Sequence, residues 1–157
     1  MKNYRIGLGF DVHVFSKKKK PLLLGGYLVP DALGLEAVSD GDVVLHAVCD
    51  ALLGAAGMGD IGDYFPPNDP ECCGINSKNI CAFVLKKISK KFKINNIDIT
   101  IIAEKPRLVK YKPAMVKSLK SILNVDVNVK IKSKEGLNIL GGVNAISCVV
   151  AASLEGN

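Results

Sequence analysis

Two histidines are all this chain has, and each stands in a segment whose spacing dictates where it must lie once folded. The first segment is Gly7-Leu8-Gly9-Phe10-Asp11-Val12-His13. The second is Ser39-Asp40-Gly41-Asp42-Val43-Val44-Leu45-His46, running on to Asp50. Along a strand, residues i and i+2 face the same way, so Asp11 and His13 project together from one strand end. Along a helix, residues i, i+4 and i+8 share a face, which gathers Asp42, His46 and Asp50 into a polar stripe on an otherwise apolar helix. Burying such a stripe without partners is costly, and His46 facing Asp11 and His13 through a metal would supply one. Asp11, His13 and His46 then offer one carboxylate and two imidazoles. That set leaves a tetrahedral divalent cation one open position, as at catalytic rather than structural centres.

Local patterns place these segments. Tyr4 to Phe10 is predicted as a strand delivering Asp11 and His13 at its end. Leu22 to Val29 reads as a single strand bent at Gly25-Gly26, after a turn formed by the lysine run and Pro21. Ser39 is expected to cap a helix, with Asp42 three residues on imitating a capping box, and the helix to run to Gly57. Met58 to Pro70 is a Gly- and Pro-rich loop. Ser77 is expected to cap a second helix reaching about Phe92. Ile97 to Ala103 is rich in β-branched residues and reads as a strand. Pro113 suits the first turn of a third helix ending near Leu123. Val125 to Ser133 alternates as a half-buried strand, and Ala145 to Leu154 is an apolar segment open to strand or helix, whose Val-Val and Ser-Cys content favours strand. One domain over residues 1–157, without internal repeat, is expected to form an α+β fold: a mixed β-sheet with helices packed on one face.

A chain of 157 residues with 48% hydrophobic and 23% charged residues can bury a core without staples. No run approaches the roughly 18 apolar residues needed to span a bilayer. Met1 to Phe15 lacks the apolar stretch of a signal peptide. A cytoplasmic protein, or a mature chain in a plastid-type organelle, is expected. Cys49, Cys72, Cys73, Cys81 and Cys148 are odd in number and form no C-x-x-C, so they read as reduced packing residues. The net charge of +6 comes largely from Lys17 to Lys20 and from Lys86, Lys87, Lys90, Lys91 and Lys93. No aromatic residues interleave with these lysines, which argues against a base-stacking nucleic-acid surface. A small polyanionic substrate accounts for the sign. Gly7-x-Gly9 is no dinucleotide fingerprint, because no third glycine or helix follows.

The segments Arg5 to His13, Ser39 to His46, Asp50 to Ala56, Gly59-Asp60-Ile61-Gly62, Phe65-Pro66 and Asp98 to Ala103, in this order, resemble the 2-C-methyl-D-erythritol 2,4-cyclodiphosphate synthase family of non-mevalonate isoprenoid biosynthesis. The resemblance implies cyclisation of 4-diphosphocytidyl-2-C-methyl-D-erythritol 2-phosphate with release of CMP. It implies zinc or manganese on Asp11, His13 and His46, and magnesium or manganese bridging the diphosphate with help from Glu135. It assigns Ser39 to the 2-phosphate and Asp60 and Gly62 to the erythritol hydroxyls, with Phe65 in the same loop. The segment Ala103 to Val109, including Arg107 and Leu108, reads cytidine largely through its backbone. A homotrimer is implied, with sheets facing one another and active sites between subunits; no nucleic acid or membrane partner is implied.

Four positions depart from the family pattern. Val38 stands where a histidine is usual, Lys132-Ser133-Lys134 replaces a threonine-rich stretch, Pro67 replaces an acid, and Gly142 replaces an arginine that bears on prenyl diphosphate binding at the trimer axis. Ser133 keeps a hydroxyl, and Lys132 or Lys134 is expected to take over the charge role lost at Val38. Taken alone, Glu135 reads as a surface acid, Asp60 as a turn residue, and Lys132 and Lys134 as a solvated strand face. Two other functions fit the same residues: a metal-dependent phosphoesterase that activates water, and a catalytically weakened nucleotide-binding trimer.

Overall fold

The computed structural model describes residues 3–157. Six strands and three α-helices form a single α+β domain: β1 (Tyr4–Val14), β2 (Pro21–Leu24), β3 (Tyr27–Leu33), α1 (Val43–Ala56), α2 (Ser77–Ile88), β4 (Phe92–Ala103), α3 (Lys112–Leu123), β5 (Val127–Lys132) and β6 (Ala145–Gly156). The main sheet has the order β1-β6-β4-β5. Both β1 and β4 run antiparallel to β6, while β4 and β5 are parallel, so the sheet is mixed. This topology decides where the chemistry lies: β1, β4 and β5 all finish at the same end of the sheet.

Alternation along β1 separates two faces. Gly7 and Gly9 are buried, whereas Ile6, Leu8, Phe10, Val12 and Val14 point away from the helices and are exposed, Ile6 by 80%. On the covered face α1 crosses β1, β6 and β4, and every α1 residue except Asp50 and Gly54 is buried. The approach is close because Gly7 and Gly9 put no side chain between β1 and the helix. A Cβ on Gly9 would lie 1.9 Å from the Ala47 carbonyl oxygen, and one on Gly7 would lie 2.0 Å from that of Ala51.

Several boundaries differ from expectation. The run from Leu22 to Val29 is two strands, because Gly25 and Gly26 both take positive φ and close a two-residue hairpin between Leu24 and Tyr27. Asp42, not Ser39, caps α1: its carboxylate accepts from the amides of Val44 and Leu45, and also from Gly25 and Gly26. One buried acid thereby satisfies the helix start and clamps the hairpin tip to it, which removes Asp42 from the polar stripe. Asn76 rather than Ser77 caps α2, which ends at Ile88, so Phe92 opens β4 instead. Gly57 closes α1 in the left-handed conformation as expected.

Candidate metal centre and its surroundings

The end of β1 and the first turn of α1 meet where the close packing over Gly9 brings them together. Asp11 Oδ2 lies 2.9 Å from His13 Nε2 and 3.0 Å from His46 Nδ1. One ligating atom from each residue falls within 4.8 Å of the others. The sequence-based triad is therefore assembled within a single chain.

The tautomers favour a cation. His13 Nδ1 faces the Glu36 carbonyl oxygen at 2.7 Å, so its N–H donates there and its Nε2 lone pair turns to the centre. That Nε2 is buried and makes no hydrogen bond, although Asp11 is close. An orphaned acceptor beside a carboxylate and a second imidazole is what a bound divalent ion would satisfy. His46 is oriented in the same sense: Nε2 donates to Ser77 Oγ at 2.9 Å, with Ser39 Oγ at 3.1 Å, leaving Nδ1 for the centre. The Ser77 hydroxyl in turn donates to Asp40 Oδ1, and the Ser77 amide donates to Asp40 Oδ2 at 2.9 Å. Asp40, Ser77 and the Glu36 carbonyl are the functional groups that sequence reasoning missed. The acid-hydroxyl-imidazole chain links residues 31 and 37 apart, beyond any local pattern. Outer partners of this kind fix ligand orientation, so Ser77→Ala is expected to weaken zinc affinity about tenfold with little change in unfolding temperature. Competition with a chromophoric chelator measures it, and unchanged affinity would remove Ser77 from the account.

Burial alone would raise the Asp11 carboxyl, but the two imidazoles against it hold it well below the usual carboxylate range. Burial likewise favours neutral His13, yet contact with Asp11 and the Glu36 carbonyl outweigh it and raise its pKa. A cation must displace that proton. Metal affinity is expected to fall by about tenfold per pH unit below the raised His13 pKa, whereas equal affinity at about pH 6 and about pH 8 would contradict this. The metal-free protein holds the proton more tightly than the unfolded chain does. It is therefore more stable below this range and loses that contribution as pH rises through it.

Beside the centre lies a cleft of about 170 Å³ lined by His13, Val38, Ser39, His46, Phe65 and Pro67, among others. Val38 brings no charge to it. Phe65 meets Phe83 edge-on at 5.2 Å. The loop beyond α1 is tied back by Asp50, whose Oδ1 accepts from the Ile61 amide. Asp60 and Gly62 are exposed on that loop, where Asp60 Oδ1 caps a short 3₁₀ turn through the amides of Gly62 and Asp63.

The other expected site residues lie at the same end of the sheet, beyond β4 and β5. Ala103 ends β4; Leu108 is buried, while Arg107 and Val109 are exposed. Lys132 ends β5 and is exposed. Ser133 Oγ donates to Glu135 Oε1. β1 and β5 stand three strand spacings apart, roughly 14 Å, with β6 and β4 between them. The expectation that Lys134 offers charge to phosphate is corrected: its side chain is buried, and its ammonium donates to the carbonyls of Leu140, Gly142 and Ala145 at 2.6–2.9 Å. Gly142 is explained too, since φ is +62° and a Cβ would lie 2.4 Å from Asn138 Oδ1.

Residues 4–155 match the YgbB family. A protein of Francisella philomiragia named 2-C-methyl-D-erythritol 2,4-cyclodiphosphate synthase is 42% identical over 157 residues, spanning 98% of this chain and 99% of its own. The bifunctional IspDF of Campylobacter jejuni superposes with a TM-score of 0.91 at 35% identity, over 100% of this chain, which spans 43% of that longer one. IspF of Plasmodium falciparum, in its CDP complex, superposes with a TM-score of 0.83 at 32% identity, over 98% of this chain and 97% of that one.

Proposed function

We propose that this chain, which belongs to the YgbB family, cyclises 4-diphosphocytidyl-2-C-methyl-D-erythritol 2-phosphate to 2-C-methyl-D-erythritol 2,4-cyclodiphosphate and releases CMP, a phosphorus–oxygen lyase step of non-mevalonate isoprenoid biosynthesis. The observation that carries this reading is the complete Asp11, His13 and His46 cluster in a chain alike over nearly its whole length to proteins named as this synthase. Neither a phosphoesterase nor a binding-only trimer gains support from a particular observation.

An oxygen of the 2-phosphate attacks the β-phosphorus, and the bond from that phosphorus to the oxygen bridging the α-phosphate breaks, so the electron pair leaves with CMP. Two anions must be held together in line, and charge on the transferring group must be neutralised. When bound, zinc or manganese on Asp11, His13 and His46, and magnesium or manganese with Glu135, supply that positive charge to the diphosphate oxygens. Ser39 lies beside His46 and donates its hydroxyl to the 2-phosphate. Asp60 and the Gly62 amide orient the erythritol hydroxyls, and Phe65 with Val38 keeps water from the cleft. Lys132 donates to phosphate oxygens, and Ser133 does so once its hydroxyl turns from Glu135. Ala103, Arg107, Leu108 and Val109 present backbone groups to the cytosine edge.

The active unit is a homotrimer in which the open sheet faces meet. The apolar row on β1 is an area that a lone soluble domain rarely exposes. The placement of β6 and β4 between β1 and β5 suits a site that a second chain completes with its own Glu135. Among the described residues no helix is long and apolar enough to cross a membrane, and a cytoplasmic location suits the chemistry. Phosphorus NMR of the protein with this substrate and magnesium tests the reading. Cyclic diphosphate resonances with equimolar CMP are expected, whereas inorganic phosphate or unchanged substrate would overturn it.

A further inference from the structure

The loop after β5 gathers many of the positive-φ residues found among the described residues. Glu135, Gly136, Leu140, Gly141 and Gly142 all take positive φ. The Leu137 amide donates to the Lys134 carbonyl at 2.9 Å, so Glu135 and Gly136 are the central residues of a turn in which both are left-handed. Gly136 tolerates this freely, whereas Glu135 at φ +52° adopts it at a steric cost. A non-glycine residue persists there only where its surroundings over-determine the backbone.

Lys134 supplies that constraint from both ends. Its amide donates to Glu104 Oε2 at 2.8 Å, which ties it to the end of β4. Its ammonium reaches across the loop to the carbonyl oxygens of Leu140 at 2.7 Å, Gly142 at 2.6 Å and Ala145 at 2.9 Å. Three N–H donors meet three acceptors, so the group is fully satisfied although its side chain is only 1% exposed. The glycines at 141 and 142 let these carbonyls converge. A lysine buried in this way costs desolvation unless each donor is used, and here all three are turned inward to the loop carbonyls.

We propose that Lys134 is a positioning residue: an internal cation that folds the 134–145 loop around itself and thereby holds Glu135 in the left-handed turn from which it serves the second metal. The proposal rests on the role given to Glu135 in the preceding reading. It also removes Lys134 from direct contact with phosphate and makes Gly142 part of the same device.

The test compares Lys134→Met, Lys134→Ala, Glu104→Ala and Glu135→Gln with the parent protein. In the metal-free protein, amide exchange at Leu137 and Gly142 is expected to quicken about tenfold in Lys134→Met, and to slow again in Lys134→Ala when methylammonium is added. Tetramethylammonium, which has no N–H to donate, is expected to have no effect. In turnover the apparent magnesium constant is expected to rise about tenfold in Lys134→Met, with KM for substrate nearly unchanged. Glu104→Ala, which leaves the buried ammonium in place, is expected to shift it in the same direction by less and covers the case in which Lys134→Met does not fold. Parental exchange rates and magnesium constants in Lys134→Met and Glu104→Ala, with Glu135→Gln impaired, would overturn the proposal and leave the cyclase reading standing. No cyclic product from the parent protein would overturn the cyclase reading, while the exchange measurements still decide whether Lys134 holds the turn.

Discussion

Asp11→Asn is expected to lower cyclisation by about a thousandfold and to reduce bound zinc below a stoichiometric amount. Asparagine keeps the shape of the side chain but removes the one anionic ligand, which stands between two imidazoles at 2.9 and 3.0 Å. A Lewis-acid centre contributes several kcal/mol of transition-state stabilisation, and each 1.4 kcal/mol is about a factor of ten in rate. Losing most of that contribution gives the expected size. The fold should survive, because Asp11 sits on the outer part of β1 and not in the apolar core. Turnover by single-turnover phosphorus NMR, with metal content by atomic emission, measures the effect. Turnover within tenfold of the parent at full metal content would show that the triad is not where the chemistry is carried.

The second large effect concerns packing rather than chemistry. Gly9→Ala is expected to destabilise the protein by about 3 kcal/mol or more and to lose metal binding as a consequence. The new Cβ would lie 1.9 Å from the Ala47 carbonyl oxygen and 2.7 Å from the Ala51 amide nitrogen. Both are backbone atoms of α1 and cannot rotate aside, so the helix must lift from the strand. His46 immediately precedes Ala47, and Asp11 lies two residues beyond Gly9, so the same lift separates ligand from ligand. Gly54→Ala on the outer side of α1 is the control: nothing lies within 4 Å of its Cβ position, and removing a mid-helix glycine is expected to stabilise by about 0.5–1 kcal/mol. Urea denaturation of both variants checks the pair. A Gly9→Ala midpoint equal to that of the parent would mean that the helix approach is not limiting.

How far these features could be read from the sequence depends on the range of the interactions behind them. Asp11 and His13 are legible because strand periodicity alone puts them on one face, and His46 because helix periodicity puts it on a polar stripe. Their convergence required only that the stripe find partners. Gly7 and Gly9 could be excluded as a nucleotide motif, but their actual role appears only when a helix from 40 residues later lies on them. Ser39 and Asp42 both suit a helix cap. Asp42 wins because the hairpin tip at Gly25 and Gly26 gives its carboxylate two more donors, and no local pattern contains that. The single strand expected over Leu22 to Val29 failed for a related reason: two consecutive left-handed glycines reverse the chain where a lone glycine would only bend it. Lys134 was the least legible. Its alternation with Lys132 signals a solvated face, and its burial follows from carbonyls six to eleven residues downstream that turn inward to meet it.

Zinc-edge X-ray absorption on the loaded protein tests the shared cation most directly. One equivalent of zinc is expected, in a shell of nitrogen and oxygen atoms, with the outer-shell scattering of two imidazoles and no sulfur. A sulfur shell from any of the five cysteines, or the signature of a single imidazole, would contradict a centre built from Asp11, His13 and His46.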